Sequence, residues 1–309
     1  MSSPVPITIE QLETPGRRHA REIIIKGAAF LAALVSVLIS VLIVFSLFRE
    51  AWTFMSQIEW AKTWGEIGWF PRRGIYDVPT LLVSSLIVTA VAMIVAMPIG
   101  LGAAIYLSEY AKPKVRKILK PTLEILAGIP SVVLGFFALT FLAPNVVARI
   151  GGDAGGSLMA AGMGVGILSI PLVASISEDA MRSVPRELRE ASAGLGARKV
   201  TTTTRVVLPA AVSGLVAAFI VAVSRAIGET MVVFLAGGAT DAAIFNSSPF
   251  DGGLTMTAAM ASLASGTDSV VGEGLTFQSL YFVGLMLFLI TLVLNIIGNS
   301  FVARVREKY

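Results

Sequence analysis

Apolar residues in this chain run in long blocks and not in amphipathic stripes. Six blocks stand out, at about 27–48, 80–106, 119–142, 158–176, 210–236 and 280–302. Each is close to the roughly 20 residues a helix needs to cross about 30 Å of hydrocarbon. The pattern therefore predicts an all-α polytopic membrane protein with six transmembrane helices. It divides the chain into a tail (1–26), a first transmembrane helix (27–48), an outer segment (49–79), a core of five helices (80–302) and a short final tail (303–309). Within the core, the polar stretch 177–209 is the main interruption.

Charge then orients the blocks. With the first tail inside, the predicted cytoplasmic segments hold 18 of the 24 Lys and Arg residues: four through Lys26, five at 107–120, six at 177–209 and three after 302. The outer segments hold Arg49, Lys62, Arg72, Arg73 and Arg149. This asymmetry predicts that both termini are cytoplasmic. The basic cluster Arg17, Arg18, Arg21 and Lys26 precedes an apolar run too long for a signal-peptide core, so a retained first span is expected. Composition agrees with a membrane chain: of 309 residues 55% are apolar and 14% charged, against about 25% charged in soluble domains. The net charge of +4 follows from the loops and argues topology, not nucleic-acid binding. There is no cysteine, and His19 in the tail is the one histidine, which excludes disulfides and Cys or His metal clusters.

The predicted outer segments differ in character. Trp52, Trp60, Trp64 and Trp69, all the tryptophans of the chain, fall in 49–79, which suits a membrane–water interface. The segment 237–279 has four acids, Asp241, Asp251, Asp268 and Glu273, and no Lys or Arg. Within it, residues 255–264 have the composition of a short helix, either dipping back against the bundle or lying on the surface. Gly100 and Gly102, and Gly162, Gly164 and Gly166, invite close helix approach. Pro98, Pro130 and Pro171 lie inside predicted spans, where they are expected to kink helices and free carbonyls. The run Gly151 to Gly156 reads as a flexible turn, because it lacks the Lys-Ser/Thr of a phosphate loop.

Two charges sit where the hydropathy pattern has no place for them. Arg225 and Glu229 fall inside the fifth block, and a lone Arg at that depth costs about 2.5–3.5 kcal/mol on insertion scales. Four residues apart on a continuous helix, they share a face and can pair. One reading is a structural ion pair between helices. The other is an anion contact at Arg225, whose planar fork of donors suits a tetrahedral oxyanion, with Glu229 holding the fork and moderating its grip. Ser224 and Thr230 are placed to assist, and buried membrane charge favours the functional reading. Glu124, near Lys117 and Lys120, predicts an interfacial ion pair.

The polar stretch 177–209 carries its own pattern: Glu190-Ala191-Ser192, three residues, Gly196, nine residues, then Val206-Val207-Leu208-Pro209. Pro185 suits a helix start. Small Ala191 and Ala193 permit a partner backbone to approach, Gly194 and Gly196 supply a stop and a turn, and Pro209 opens the next span. This spacing closely resembles the cytoplasmic EAA loop of ATP-binding-cassette importer permeases, with Ser192 and Val206 as mild departures. The resemblance implies the type I importer permease fold, and that Glu190, Ala191, Gly196, Leu208 and Pro209 form the surface that docks on an ATPase subunit.

Further segments narrow the resemblance. Ser224-Arg225-Ala226-Ile227-Gly228-Glu229-Thr230-Met231, together with Leu126-Ala127-Gly128-Ile129-Pro130-Ser131-Val132-Val133-Leu134-Gly135, resembles the permeases of phosphate-specific importers. Trp69-Phe70-Pro71, followed by Tyr76 and Pro79, is similar to the outer segment of their C-type subunit. The resemblance implies that Arg225 and Glu229 serve phosphate passage in a bacterial cytoplasmic membrane. It implies a paralogous permease, two ATP-binding-cassette subunits and an extracytoplasmic phosphate-binding protein as partners, besides membrane lipid. No Gly-x-x-x-x-Gly-Lys-Ser/Thr motif occurs, so ATP and Mg belong on the partner ATPases, and this chain is expected to carry no cofactor and no enzyme activity of its own. The acidic 237–279 segment is expected to meet basic residues of the binding protein. Three alternatives stay open: a permease for sulfate or molybdate, an ion-coupled secondary transporter using Glu229, and a membrane-embedded enzyme, for which no convergent set of Ser, Lys or carboxylate groups is visible.

Overall fold

The computed structural model describes residues 16–65, 67–238, 244–265 and 274–305. The chain is almost entirely helical. Helix α1 (Gly16–Gln57) leads into a small two-stranded hairpin, β1 (Trp69–Phe70) antiparallel to β2 (Ile75–Tyr76). Next come α2 (Val78–Ile105), extended by a π turn (Tyr106–Tyr110), and α3 (Pro113–Leu126). Helix α4 (Ser131–Phe137) continues as a π segment, Ala138–Val147. Then follow α5 (Leu158–Arg182), α6 (Arg186–Gly194), α7 (Lys199–Thr202), α8 (Leu208–Ala210) and α9 (Val212–Ile227). The last are α10 (Met231–Ala236), α11 (Met256–Ser265) and α12 (Thr276–Val305).

Among the described residues, five helices are long and apolar enough to cross a membrane, and the pair α7–α8 and α9, bent by 70°, makes a sixth if counted as one span. Up to six spans are thus accommodated, and two of the predicted blocks, 119–142 and 210–236, are not single helices. Residues 113–126 form the amphipathic α3, the chain turns at Ala127–Pro130, and the span proper is Ser131–Ile150. Pro130 takes the N-cap position of α4, since the residue before Ser131 needs no helical N–H partner. Pro98 and Pro171 instead lie within continuous α2 and α5. Pro209 does not open the fifth span; it sits in α8, before the bend. Pro185 likewise precedes α6 as its N-cap and is not the first helical residue.

The centre of the bundle is the α2–α5 pair, and glycine sets its spacing. A Cβ on Gly162 would lie 2.6 Å from Val91 Cβ, and one on Gly166 would lie 2.8 Å from Val95 Cβ, both on α2. The intervening Gly164 faces the opposite way, where a Cβ would meet Val232 Cγ1 at 2.9 Å. In lipid, such close approach supplies the packing that the hydrophobic effect does not. Local capping agrees with the boundaries: Asp77 accepts from Thr80 N at 3.1 Å to start α2, and Ser157 Oγ accepts from Ala160 N at 3.1 Å to start α5.

Helix α1 is exposed along its apolar span and packs mainly along α12. Its end is different: Phe54 is buried, with ring centroids 4.9 Å from both Tyr76 and Phe282. Trp52, Trp60 and Trp64 are exposed, whereas Trp69 is buried within the hairpin, edge-on to Tyr76. Residues 256–265 form the short helix anticipated in 255–264, and its first turn is buried, so it belongs to the bundle and not to the surface. Of the four acids in 237–279, Asp251 is exposed; Asp241, Asp268 and Glu273 lie outside the described residues, as does the tail through residue 15.

Candidate functional site

Two regions gather the residues singled out by sequence. The first is the break between α9 and α10. Helix α9 closes with Ile227, Gly228 is its C-cap at φ −92°, ψ −1°, and α10 starts again at Met231. Arg225 is in the last turn of α9 and its side chain is exposed. The predicted ion pair with Glu229 is absent: among the described residues Arg225 has no ion pair or hydrogen bond. The reason is the break. A spacing of four brings side chains together only on a continuous helix, and Glu229 lies beyond the helix end.

Glu229 is held elsewhere. Its Oε1 accepts from Val232 N at 3.4 Å, and its carbonyl oxygen accepts from Thr257 Oγ1 at 2.7 Å. Thr230 Oγ1 faces the Gly228 carbonyl at 3.4 Å, and Ser224 Oγ faces Asn295 Oδ1 of α12 at 3.5 Å. So Ser224, Arg225, Glu229 and Thr230 remain neighbours along the chain, but each has a different environment. The third-span segment comes to the same place. Gly135 of α4 packs so tightly on α10 that a Cβ there would lie 3.0 Å from Met231 O and Val232 Cα. Two segments far apart in sequence thus form one unit, α4 behind Pro130 against α10 behind Gly228.

The second region is the polar loop. Helix α6 ends in a Schellman turn: Gly196 N donates to Ala193 O at 2.9 Å and Ala197 N to Ser192 O at 3.1 Å. Gly196 has φ +77°, the left-handed region that glycine occupies without a Cβ clash. The turn leaves Glu190, Ala191, Ala193 and Gly196 exposed, with Leu195 at its tip 90% exposed. Leu208 packs on a small cluster of Ala104, Met181, Val184, Val207 and Ala211, while Pro209 is exposed. The predicted docking residues therefore split into a projecting knob (Glu190, Ala191, Gly196) and a returning arm (Leu208, Pro209).

Sequence reasoning missed what anchors this loop. Arg189 donates to Met181 O at 2.8 Å, to Val184 O at 2.7 Å and to Glu109 Oε1 at 3.0 Å. Glu178, fully buried at the end of α5, meets Arg116 Nη2 at 2.5 Å, Lys120 Nζ at 2.8 Å and Arg182 Nη1 at 3.9 Å. Lys120 also reaches Asp179 at 2.6 Å. Burial works against the Lys120 ammonium, but the bonds to Asp179 and Glu178 outweigh it and raise its pKa. The expected pairing of Glu124 with Lys117 and Lys120 is replaced by this arrangement; Glu124 lines a neighbouring cavity of about 850 Å³ with Arg186, Glu190 and Lys199. Signals for the pairs existed, in a basic run at 112–120 and an acid pair at 178–179, but nothing in the sequence matched one to the other.

Comparison with known proteins places this geometry in a class. The family model for binding-protein-dependent transport system inner membrane components matches residues 96–308, and the chain belongs to that family. It is 35% identical over 204 residues to the probable ABC transporter permease protein YqgH of Bacillus subtilis, spanning 66% of this chain and 63% of that relative. It is 32% identical over 256 residues to phosphate transport system permease protein PstC 1 of Mycobacterium tuberculosis, covering 76% of this chain and 75% of that one. Among solved structures, the inward-facing MetNI methionine ABC transporter superposes with a TM-score of 0.53 at 20% identity, over 74% of this chain and 94% of that chain. The fold is that of a type I importer permease, and the chain is a membrane-spanning permease of an ABC transporter.

Proposed function

We propose that this chain is the C-type permease of an ATP-driven inorganic phosphate importer in a bacterial cytoplasmic membrane. The observation that carries the reading is the α9–α10 break: an Arg225 without a partner among the described residues, beside an independently anchored Glu229, packed on the Pro130 segment. A guanidinium with free donors suits a tetrahedral oxyanion. Glu229 does not neutralise it in this conformation and stands close enough in sequence to moderate its hold. The PstC name of a relative matched over three quarters of the chain supports phosphate as the anion.

In this scheme a binding protein delivers phosphate to the outer face, opposite two cytoplasmic termini. A paralogous permease completes the path, with Ser224 and Thr230 assisting Arg225. Two ATPase subunits bind the knob at Glu190, Ala191 and Gly196, and Leu208 and Pro209 return that movement to α9. Nucleotide biases an equilibrium between inward- and outward-open packings. ATP and Mg act on the partner subunits.

The test is ATP-driven uptake of labelled phosphate into vesicles holding this chain with its permease, ATPase and binding-protein partners. Uptake that needs ATP and is insensitive to sulfate and molybdate is expected. Uptake of another oxyanion would keep the importer and discard the substrate. Uptake without ATP would restore the ion-coupled transporter.

A further inference from the structure

The α9–α10 break frees backbone groups that a continuous helix would satisfy, and in a membrane interior each such group is costly. The Glu229 carbonyl is one of them. Its partner comes from α11, 28 residues further on: Thr257 Oγ1 donates to Glu229 O at 2.7 Å. Thr257 is 4% exposed, so its hydroxyl is largely shielded from water.

The hydroxyl protons around it admit one consistent assignment. A carbonyl only accepts, so the single proton of Thr257 goes to Glu229. In the Thr255–Thr257 hydroxyl pair, 3.3 Å apart, Thr257 must then accept and Thr255 donate. Thr255 Oγ1 in turn accepts from Ala258 N at 3.3 Å. The result is a directed chain from Ala258 N through Thr255 and Thr257 to Glu229 O, each bond polarising the next. The base of this chain is fixed to the rigid α2–α5 pair, because Met256 N donates to Ser85 Oγ of α2 at 3.0 Å.

We infer that Thr257 is a positioning residue for translocation: through the Glu229 carbonyl, α11 sets the geometry of the break and thereby the direction of Arg225. Thr257 touches no anion itself. Helix α11 acts as a strut between α2 and the break, and the Thr257–Glu229 bond is its point of contact. The inference rests on the transport reading above and deepens it at one residue.

The experiment compares wild type, Thr257→Val and Thr257→Ser in the full complex with its partners, at matched amounts of assembled complex. Valine keeps the shape and removes the donor; serine keeps the donor. Thr257→Val is expected to lower the maximal rate of uptake about tenfold or more, since a misplacement of about 1 Å can cost up to about a hundredfold, with the substrate concentration for half-maximal rate unchanged because the binding protein captures the solute. Thr257→Ser is expected to stay within about twofold of wild type. Uptake by Thr257→Val within twofold of wild type would overturn the assignment. If Thr257→Val does not assemble, the serine variant decides: a tenfold loss in assembled Thr257→Ser overturns it equally. Rates are read as ratios to wild type with whichever solute the wild-type complex imports, so a complex that imports a different anion sinks the phosphate reading and leaves this inference standing.

Discussion

Arg189 Nη2 lies 3.0 Å from Glu109 Oε1, across 80 residues of sequence. The contact ties the helix that carries the projecting knob to the π turn that ends α2. The same guanidinium holds the carbonyls of Met181 and Val184, so α2, α5 and α6 meet at one side chain. The same side chain is thus the route by which the proposed ATPase docking is expected to reach α2 and the rest of the bundle.

Glu109→Gln tests that route. It leaves Arg189 bonded to its two carbonyls, so α6 stays attached, while the ion pair to α2 is lost and its hydrogen bond weakened. The expected outcome is an assembled complex whose uptake per ATP hydrolysed falls about fivefold or more, the range of a typical coupling energy. Parallel assays of hydrolysis and uptake check it, and an unchanged ratio rejects the route.

Glu178→Gln probes the other anchor. The carboxylate is fully buried and serves Arg116, Lys120 and Arg182. Removing its charge takes the counter-ion from Arg116 and Arg182 and leaves Lys120 with Asp179 alone. A loss of about 1–3 kcal/mol is expected, less than for a pair buried on both sides because Arg116 and Lys120 keep about a quarter of their side chains in water. The thermal midpoint of the purified complex measures it, and an unshifted midpoint contradicts it.

Among the described residues, Arg225→Gln leaves no partner behind, since Glu229 is held by Val232 N and Thr257. Assembly and the thermal midpoint should be unaffected while uptake is abolished. Normal uptake by this variant means that Arg225 is not in the path.

Gly196→Val acts through the backbone and not through crowding, because no atom lies within 4 Å of a Cβ there. At φ +77° a β-branched side chain strains the turn by about 1–2 kcal/mol. The knob should re-form in another shape, so binding of the ATPase subunits is expected to weaken, or uptake to uncouple from hydrolysis. Intact binding and unchanged coupling together would remove the docking role.

How much of this was legible in the sequence depends on the range of the interaction. The blocks of apolar residues determined the helical membrane architecture, since hydrocarbon thickness translates directly into run length. The Gly196 turn was legible too, because a left-handed residue closing a helix is decided by its immediate neighbours. The glycines of α5 announced close packing, though only the fold shows Gly162 and Gly166 facing α2 while Gly164 faces α10. Tertiary structure alone decided the rest. A spacing of four promised a pair between Arg225 and Glu229, but the helix stops at Ile227, and the freed Glu229 carbonyl takes its partner, Thr257, from a different helix. The Glu178 and Glu109 pairs were equally hidden, because hydropathy records the cost of burying a charge and not the identity of the distant residue that offsets it.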